Sequence, residues 1–141
     1  MAVWNHLGQC VSDLDRSRRF YESVFGFIVE REIYPPDVPS DRLLGLKAPL
    51  GMTACYLRLD SLVLELLHFS EVDLSKSKTR VMNETGLTHL SLSVEDLSDT
   101  CARVEEFGGQ VIKETDISVG IFVRDPDGQL IELLSTSNTN R

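Results

Sequence analysis

Two histidines and two glutamates stand at matching places in this chain, His6 with Glu65 and His89 with Glu132. Each glutamate is set in an apolar run, Leu62-Val63-Leu64-Glu65-Leu66-Leu67 and Leu130-Ile131-Glu132-Leu133-Leu134. A carboxylate in such a run is costly to bury unless it is paired, hydrogen-bonded or bound to a metal. Each histidine opens an alternating run, in which a strand turns every second side chain to one face. His6, Gly8 and Cys10 then share a face, and Leu7, Gln9 and Val11 share the other. His89, Ser91 and Ser93 likewise lie opposite Leu90, Leu92 and Val94. Glu65 lies opposite Leu64 and Leu66, and Glu132 opposite Ile131 and Leu133. The aliphatic faces belong under helices, so all four chemistry-bearing side chains point the other way. Two imidazole and two carboxylate donors suit a divalent Zn, Ni, Co, Fe or Mn ion better than Ca. Four such ligands on a six-coordinate ion leave two positions for water or a bidentate substrate. The alternative is a metal-free pocket in which the glutamates bind the histidines or a cationic ligand. His68 falls on the face opposite Glu65, has Ser135 as its counterpart, and reads as structural or exposed. Cys10 lies about 13 Å along the strand from His6 and reads as pocket wall.

The elements that must position these groups occur twice. Shifted by 83 positions, His6, Leu7, Val11, Asp13, Leu14, Glu22 and Gly26 meet His89, Leu90, Val94, Asp96, Leu97, Glu105 and Gly109. Later in each half the shift is 67, and Asp60, Glu65, Leu66 and Leu67 meet Asp127, Glu132, Leu133 and Leu134. The first half therefore carries 16 extra residues, placed at the Pro-rich Tyr34–Leu46 segment, which is either a lid or a plain surface loop. Each half reads as strand, helix and three strands. Residues 3–11 form the first strand; Ser12 and Asp15 stand at capping-box spacing, and Gly26 closes the helix. Leu97, Cys101, Val104 and Phe107 make the second helical stripe, closed by Gly108-Gly109. The remaining strands are Phe27–Ile33, Thr53–Leu59 and Leu62–Phe69, then Gln110–Thr115, Val119–Arg124 and Gln129–Leu134, with Asp127-Gly128 as a hairpin turn. The expected fold is α+β, one domain of tandem βαβββ modules, with helices outside a half-barrel trough. The first module covers 1–69, a polar linker 70–86, the second module 87–135, and a disordered tail 136–141.

Composition bounds the function. The chain has 141 residues, 42% of them hydrophobic, with 22 acidic and 14 basic residues for a net charge of −8. That is enough chain for a buried core and a poor match to nucleic acid or anionic membrane surfaces. No apolar run approaches the roughly 18 residues of a membrane span, and the N-terminus lacks a signal-peptide pattern. Three widely spaced cysteines, Cys10, Cys55 and Cys101, without a C-x-x-C, fit reduced thiols in the cytoplasm.

The residues Asn5-His6-Leu7, Val11-Ser12-Asp13-Leu14, Phe20-Tyr21, Phe25-Gly26, Glu65, Thr88-His89-Leu90, Val94-Glu95-Asp96-Leu97 and Asp125-Pro126-Asp127-Gly128 before Ile131-Glu132-Leu133 resemble the vicinal oxygen chelate superfamily. That is the glyoxalase I, bleomycin-resistance and extradiol dioxygenase group. The resemblance runs from about Val3 to Leu134, and it implies His6, Glu65, His89 and Glu132 as metal ligands. The His, Glu, His, Glu order is similar to glyoxalase I enzymes. It implies a metal-dependent lyase or isomerase that chelates adjacent oxygens of a small substrate and stabilises an enolate or ene-diolate. Glu132 or Glu65 would be the general base, with Glu132 preferred, and the protein would be a homodimer. A ring-cleaving dioxygenase would use His6, His89 and Glu132 and leave Glu65 over. A bleomycin-resistance-type binder would take a cationic or planar drug without catalysis. Bacterial glutathione-dependent relatives place Arg and Asn where this chain has Cys10 and Phe69, so the resemblance argues against glutathione as cosubstrate here.

Overall fold

The alternating runs pair into two four-stranded sheets, one from each copy of the repeat. The computed structural model describes residues 1–76, 78–79 and 81–138. The first copy is β1 (Leu7–Cys10), α1 (Leu14–Phe25), β2 (Ile28–Ile33), α2 (Asp37–Leu44), β3 (Met52–Leu59) and β4 (Leu62–Phe69). The second is β5 (Leu90–Val94), α3 (Leu97–Glu106), β6 (Gln110–Ile112), β7 (Gly120–Arg124) and β8 (Leu130–Ser135). The strand orders are β1-β4-β3-β2 and β5-β8-β7-β6, the same permutation twice. β1 runs parallel to β4 and β5 to β8, and the other neighbours are antiparallel. The fold is α+β, two βαβββ modules, and neither sheet closes on itself. The chain divides into two compact units, one of Met1–Glu22 with Gly26–Lys76, the other of Ser23–Phe25 with the chain after Lys76.

α1 and α3 begin at the same kind of cap. Asp13 is extended and its carboxylate accepts from the backbone N–H of Arg16; Asp96 does the same for Asp99. The cap is thus one residue beyond the expected Ser12, whose hydroxyl instead accepts from the Arg16 guanidinium. An aspartate satisfies an orphan N–H and carries the charge that the positive helix end favours. α1 ends at Gly26, whose φ of 77° is the left-handed turn that a side chain resists.

In the first unit Tyr21 reaches from α1 to Gln9 with a 3.2 Å hydrogen bond, which places α1 over the Leu7, Gln9 and Val11 face. Val11, Phe20, Tyr21, Cys55, Leu57, Leu64 and Leu66 are buried there. Each fully buried aliphatic side chain contributes about 1.5–3 kcal/mol. α3 packs on β6, β7 and β8, and Val104, Val123, Ile131 and Leu133 are buried. His68, on the Leu64 and Leu66 parity, is half-buried opposite Thr53.

Several elements depart from the simple pattern. The strand expected over Gln110–Thr115 stops at Ile112, and Lys113–Thr115 form a 3₁₀ turn. The Thr115 hydroxyl donates to the Ile112 carbonyl and accepts from the Phe122 N–H, drawing the chain out of the ladder. The Tyr34–Leu46 insert carries α2, a kinked helix with no buried residue and Leu43 fully in solvent. The segment 70–86 shows only bends and turns among its described residues, with 77 and 80 outside them. Thr136–Asn138 form a 3₁₀ turn where the tail was expected, and residues 139–141 lie outside the described ones. β2 carries a bulge between Val29 and Arg31.

Candidate active site

Each sheet presents one imidazole beside one carboxylate on the face away from its helix. In the first unit, β1 and β4 run parallel with Gly8 opposite Glu65. That register lets His6, just before β1, reach Glu65, with Nε2 2.9 Å from Oε2. Glu65 is only 8% exposed, yet it is fully partnered: the Tyr56 hydroxyl donates to its other oxygen at 2.5 Å. Tyr56 stands directly opposite Glu65 on β3, and its ring meets the His6 ring edge-to-face at 5.6 Å. Around them Ala54, Tyr56 and Val63 form a buried apolar cluster with Met52 and Leu67 packed against it. Burial first, and the bond to Glu65 second, push the Tyr56 phenol above its ordinary value.

The second unit repeats the arrangement with one change of partner. Ser91 and Phe122 stand opposite Glu132 on either side. His89 Nε2 lies 3.7 Å from Glu132, and its ring meets Phe122 edge-to-face at 5.3 Å. Phe122 has no hydroxyl, so Glu132 takes its hydrogen bond from Ser91 instead, at 2.6 Å. Read across each sheet, the row Gly8, Glu65, Tyr56, Arg31 is answered by Ser91, Glu132, Phe122, Ile112. The carboxylate is tethered in both, but from the β3 side in one and from the β5 side in the other.

The second ring nitrogen of each histidine is held by the residue before it. His6 Nδ1 is 2.5 Å from the Asn5 carbonyl oxygen, and His89 Nδ1 is 2.8 Å from the Thr88 hydroxyl. In the tautomer that donates from Nδ1 to the Asn5 oxygen, His6 turns its Nε2 lone pair toward Glu65. The pair thus sets one nitrogen and one oxygen donor 2.9 Å apart, the kind of ligands a divalent cation takes. The donor chemistry therefore fits a divalent ion. Among the described residues no group of three or more His, Cys, Asp or Glu side chains gathers to hold one, so each unit offers half of the expected set. The structure brings His6 together with Glu65 and His89 together with Glu132.

Tyr56, Ser91 and Arg31 escaped the sequence reading. Ser91 was on the correct face by parity, but Tyr56 and Arg31 depend on cross-strand register. Of the positions argued against glutathione, Cys10 is exposed and Phe69 is buried, and neither carries charge. Among the described residues no helix is long and apolar enough to cross a membrane.

The duplicated βαβββ sheet with a His–Glu pair on each open face defines a class of paired-module proteins. The model of the Glyoxalase/Bleomycin resistance protein/Dioxygenase superfamily matches residues 4–133, and the chain belongs to that superfamily. It is 33% identical over 91% of its length to a probable lactoylglutathione lyase of Synechocystis, covering 91% of that protein. It is 29% identical to the lactoylglutathione lyase of Escherichia coli O157:H7, with 93% and 90% of the two chains covered. Among solved structures, a trypanothione-dependent glyoxalase I of Leishmania major matches with a TM-score of 0.64 at 31% identity, covering 94% of this chain and 85% of that one. A glyoxalase family protein of Bacillus cereus shares the fold with a TM-score of 0.80 at 19% identity, covering 96% and 94%. Within its superfamily the chain is glyoxalase-like.

Proposed function

We propose that this protein is a divalent-metal-dependent lyase or isomerase of glyoxalase I type. Its substrate would be a small thiol adduct of a 2-oxoaldehyde, and its product the hydroxyacyl thioester. The observation that carries the reading is the His–Glu pair repeated at equivalent register positions, with His6 Nε2 2.9 Å from Glu65. The likeness to lactoylglutathione lyases at about 30% identity supports the same chemistry. His6, Glu65, His89 and Glu132 would hold the ion, one of Zn, Ni, Co, Fe or Mn. The ion would act as a Lewis acid on adjacent substrate oxygens, worth on the order of several kcal/mol of barrier.

The chain's own groups do the rest. Asn5 and Thr88 fix the two imidazoles through Nδ1 and leave Nε2 free to ligate. Tyr56 holds Glu65 in its apolar surround, which suits a ligand that stays in place. Glu132 is the more open carboxylate, with 29% of its side chain exposed against 10% for Glu65. It would take a proton from the carbon beside the substrate carbonyl and return it to the neighbouring carbon. Ser91 orients that carboxylate by donating to Oε2. Glu65 sits in the tighter pair, which weighs against the ring-cleaving reading that would leave it idle. A homodimer in the cytoplasm belongs to the same proposal.

Metal analysis of protein purified without added metal tests it. Stoichiometric metal in the native protein, lost in both His6→Ala and Glu132→Ala, supports the assignment. Metal retained in both variants removes it. Solvent-proton exchange at the α-carbon of the substrate then separates an isomerase from a binding protein.

A further inference from the structure

The face of the first sheet that bears Glu65 continues into a cleft of about 460 Å³, lined by residues of the first unit alone. Trp4 and Val63 give it apolar walls, and Asn5, Arg31, Arg58, Glu30 and Tyr56 line the rest. The two guanidiniums are in different states. Arg58 is bound to Glu30 through Nε and Nη2, which holds the Glu30 carboxyl below its usual range. Arg31 lies over the Tyr56 ring, 4.3 Å from its centroid, with no carboxylate within ion-pair distance among the described residues. The nearest acidic side chains are already engaged: Glu30 by Arg58, Glu32 by Tyr34, and Glu65 by His6 and Tyr56. Arg31 also hydrogen-bonds the Tyr56 side chain, and the guanidinium's remaining N–H groups match a carboxylate, which it can take in a bidentate pair.

The position is a product of the bulge. Ile28 stands opposite Arg58, so strict alternation would turn residue 31 to the helix side. The extra residue at Glu30 reverses the parity and puts Arg31 opposite Tyr56 instead. The second unit builds the same sheet with Ile112 and Phe122 at these places, so the fold itself does not require the Arg–Tyr stack.

We infer that Arg31 is a carboxylate-binding residue for the substrate, stacked on the tyrosine that holds Glu65. The inference rests on the glyoxalase-type reading of the site and narrows its substrate. Arg31 and Glu65 are two strands apart, about 10 Å across the sheet. The carboxylate therefore lies several bonds from the reacting carbon, as at the end of a peptide-like thiol, and not beside it as in a small oxoacid. Glutathione has such ends, and Arg31 offers it the charge that Cys10 and Phe69 do not.

Trp4 is the only tryptophan and lines the cleft, so its fluorescence reports occupancy directly. Metal-free protein is titrated with glutathione and with glutathione diethyl ester, as wild type, Arg31→Ala, Arg31→Lys and His6→Ala. Glutathione should bind wild type and His6→Ala alike, and Arg31→Ala roughly 10-fold or more weakly. Arg31→Lys should fall between, because a point charge replaces the fork. The diester should bind wild type no better than the acid binds Arg31→Ala. Equal glutathione affinity in wild type and Arg31→Ala overturns the inference, as does an ester that binds like the acid, or no glutathione binding at millimolar concentration. A parallel assay of the glutathione–methylglyoxal adduct keeps the two readings apart. Turnover lost in His6→Ala but untouched in Arg31→Ala leaves the enzyme standing and removes Arg31. Arg31-dependent binding without turnover does the reverse.

Discussion

Removing one oxygen atom, Tyr56→Phe, isolates the tether on Glu65. The bond is 2.5 Å long, its acceptor is a carboxylate oxygen, and both residues are more than nine-tenths buried. A hydrogen bond to a charged group contributes about 1.5–3 kcal/mol, and no cavity term is added because the ring remains. Phe122 fills the equivalent place in the second sheet, so a phenyl ring fits this row. With an m value on the order of 2 kcal/mol/M, the urea midpoint should fall by roughly 1 M at neutral pH. The loss should also depend on pH. The Tyr56 phenol is raised in the folded protein, first by burial and then by Glu65, while in the unfolded chain it ionises at about 10. Its contribution is thus fully present below that value and lost as pH rises through the folded one. The gap between wild type and Tyr56→Phe should narrow above pH 10. A variant within 0.5 kcal/mol of wild type at pH 7, measured by urea unfolding with unchanged m, would refute this account of how Glu65 is held.

Asp125→Ala should cost about 2–3 kcal/mol, because this buried carboxylate accepts from the Asp127 and Gln129 N–H groups and shapes the β7–β8 turn; denaturant unfolding checks it, and a loss under 0.5 kcal/mol contradicts it. Asp13→Ala and Asp96→Ala should each cost about 1 kcal/mol, equal within error since the caps are the same motif; unequal losses by thermal unfolding would mean that one aspartate acts through something else. Burial raises the Cys55 thiol, and in Cys101 burial and the nearby Asp116 do the same, so timed alkylation near pH 7.5 should label exposed Cys10 first and Cys55 last. Early labelling of Cys55 by mass spectrometry would show that the first sheet opens readily.

Local periodicity carried most of the candidate site. A strand repeats every two residues whatever its surroundings, so the faces of His6, Glu65, His89 and Glu132 were readable from neighbours alone. The internal repeat doubled that signal and located both modules. Ser12 stood at capping-box spacing with Asp15, and only the backbone geometry moved the cap to Asp13. The strand end at Ile112 depended on a hydroxyl bond between Thr115 and a residue of the next strand, which no window around Thr115 contains.

The strand, helix and three-strand order of each half, the duplication, the two His–Glu pairs and the sign of the surface charge were written in the chain, whereas α2 was not. What stands opposite what was decided by tertiary structure. The chain from Phe122 round to its partner Glu132 is one residue longer than that from Tyr56 to Glu65, so Phe122 rather than Val123 meets Glu132. The Glu30 bulge turned Arg31 onto Tyr56, and the parallel pairing of β1 with β4 brought His6 to Glu65 across a long stretch of chain. Side-chain parity is a property of one strand's own backbone, whereas register is fixed by turn length, bulges and the burial of a shared face.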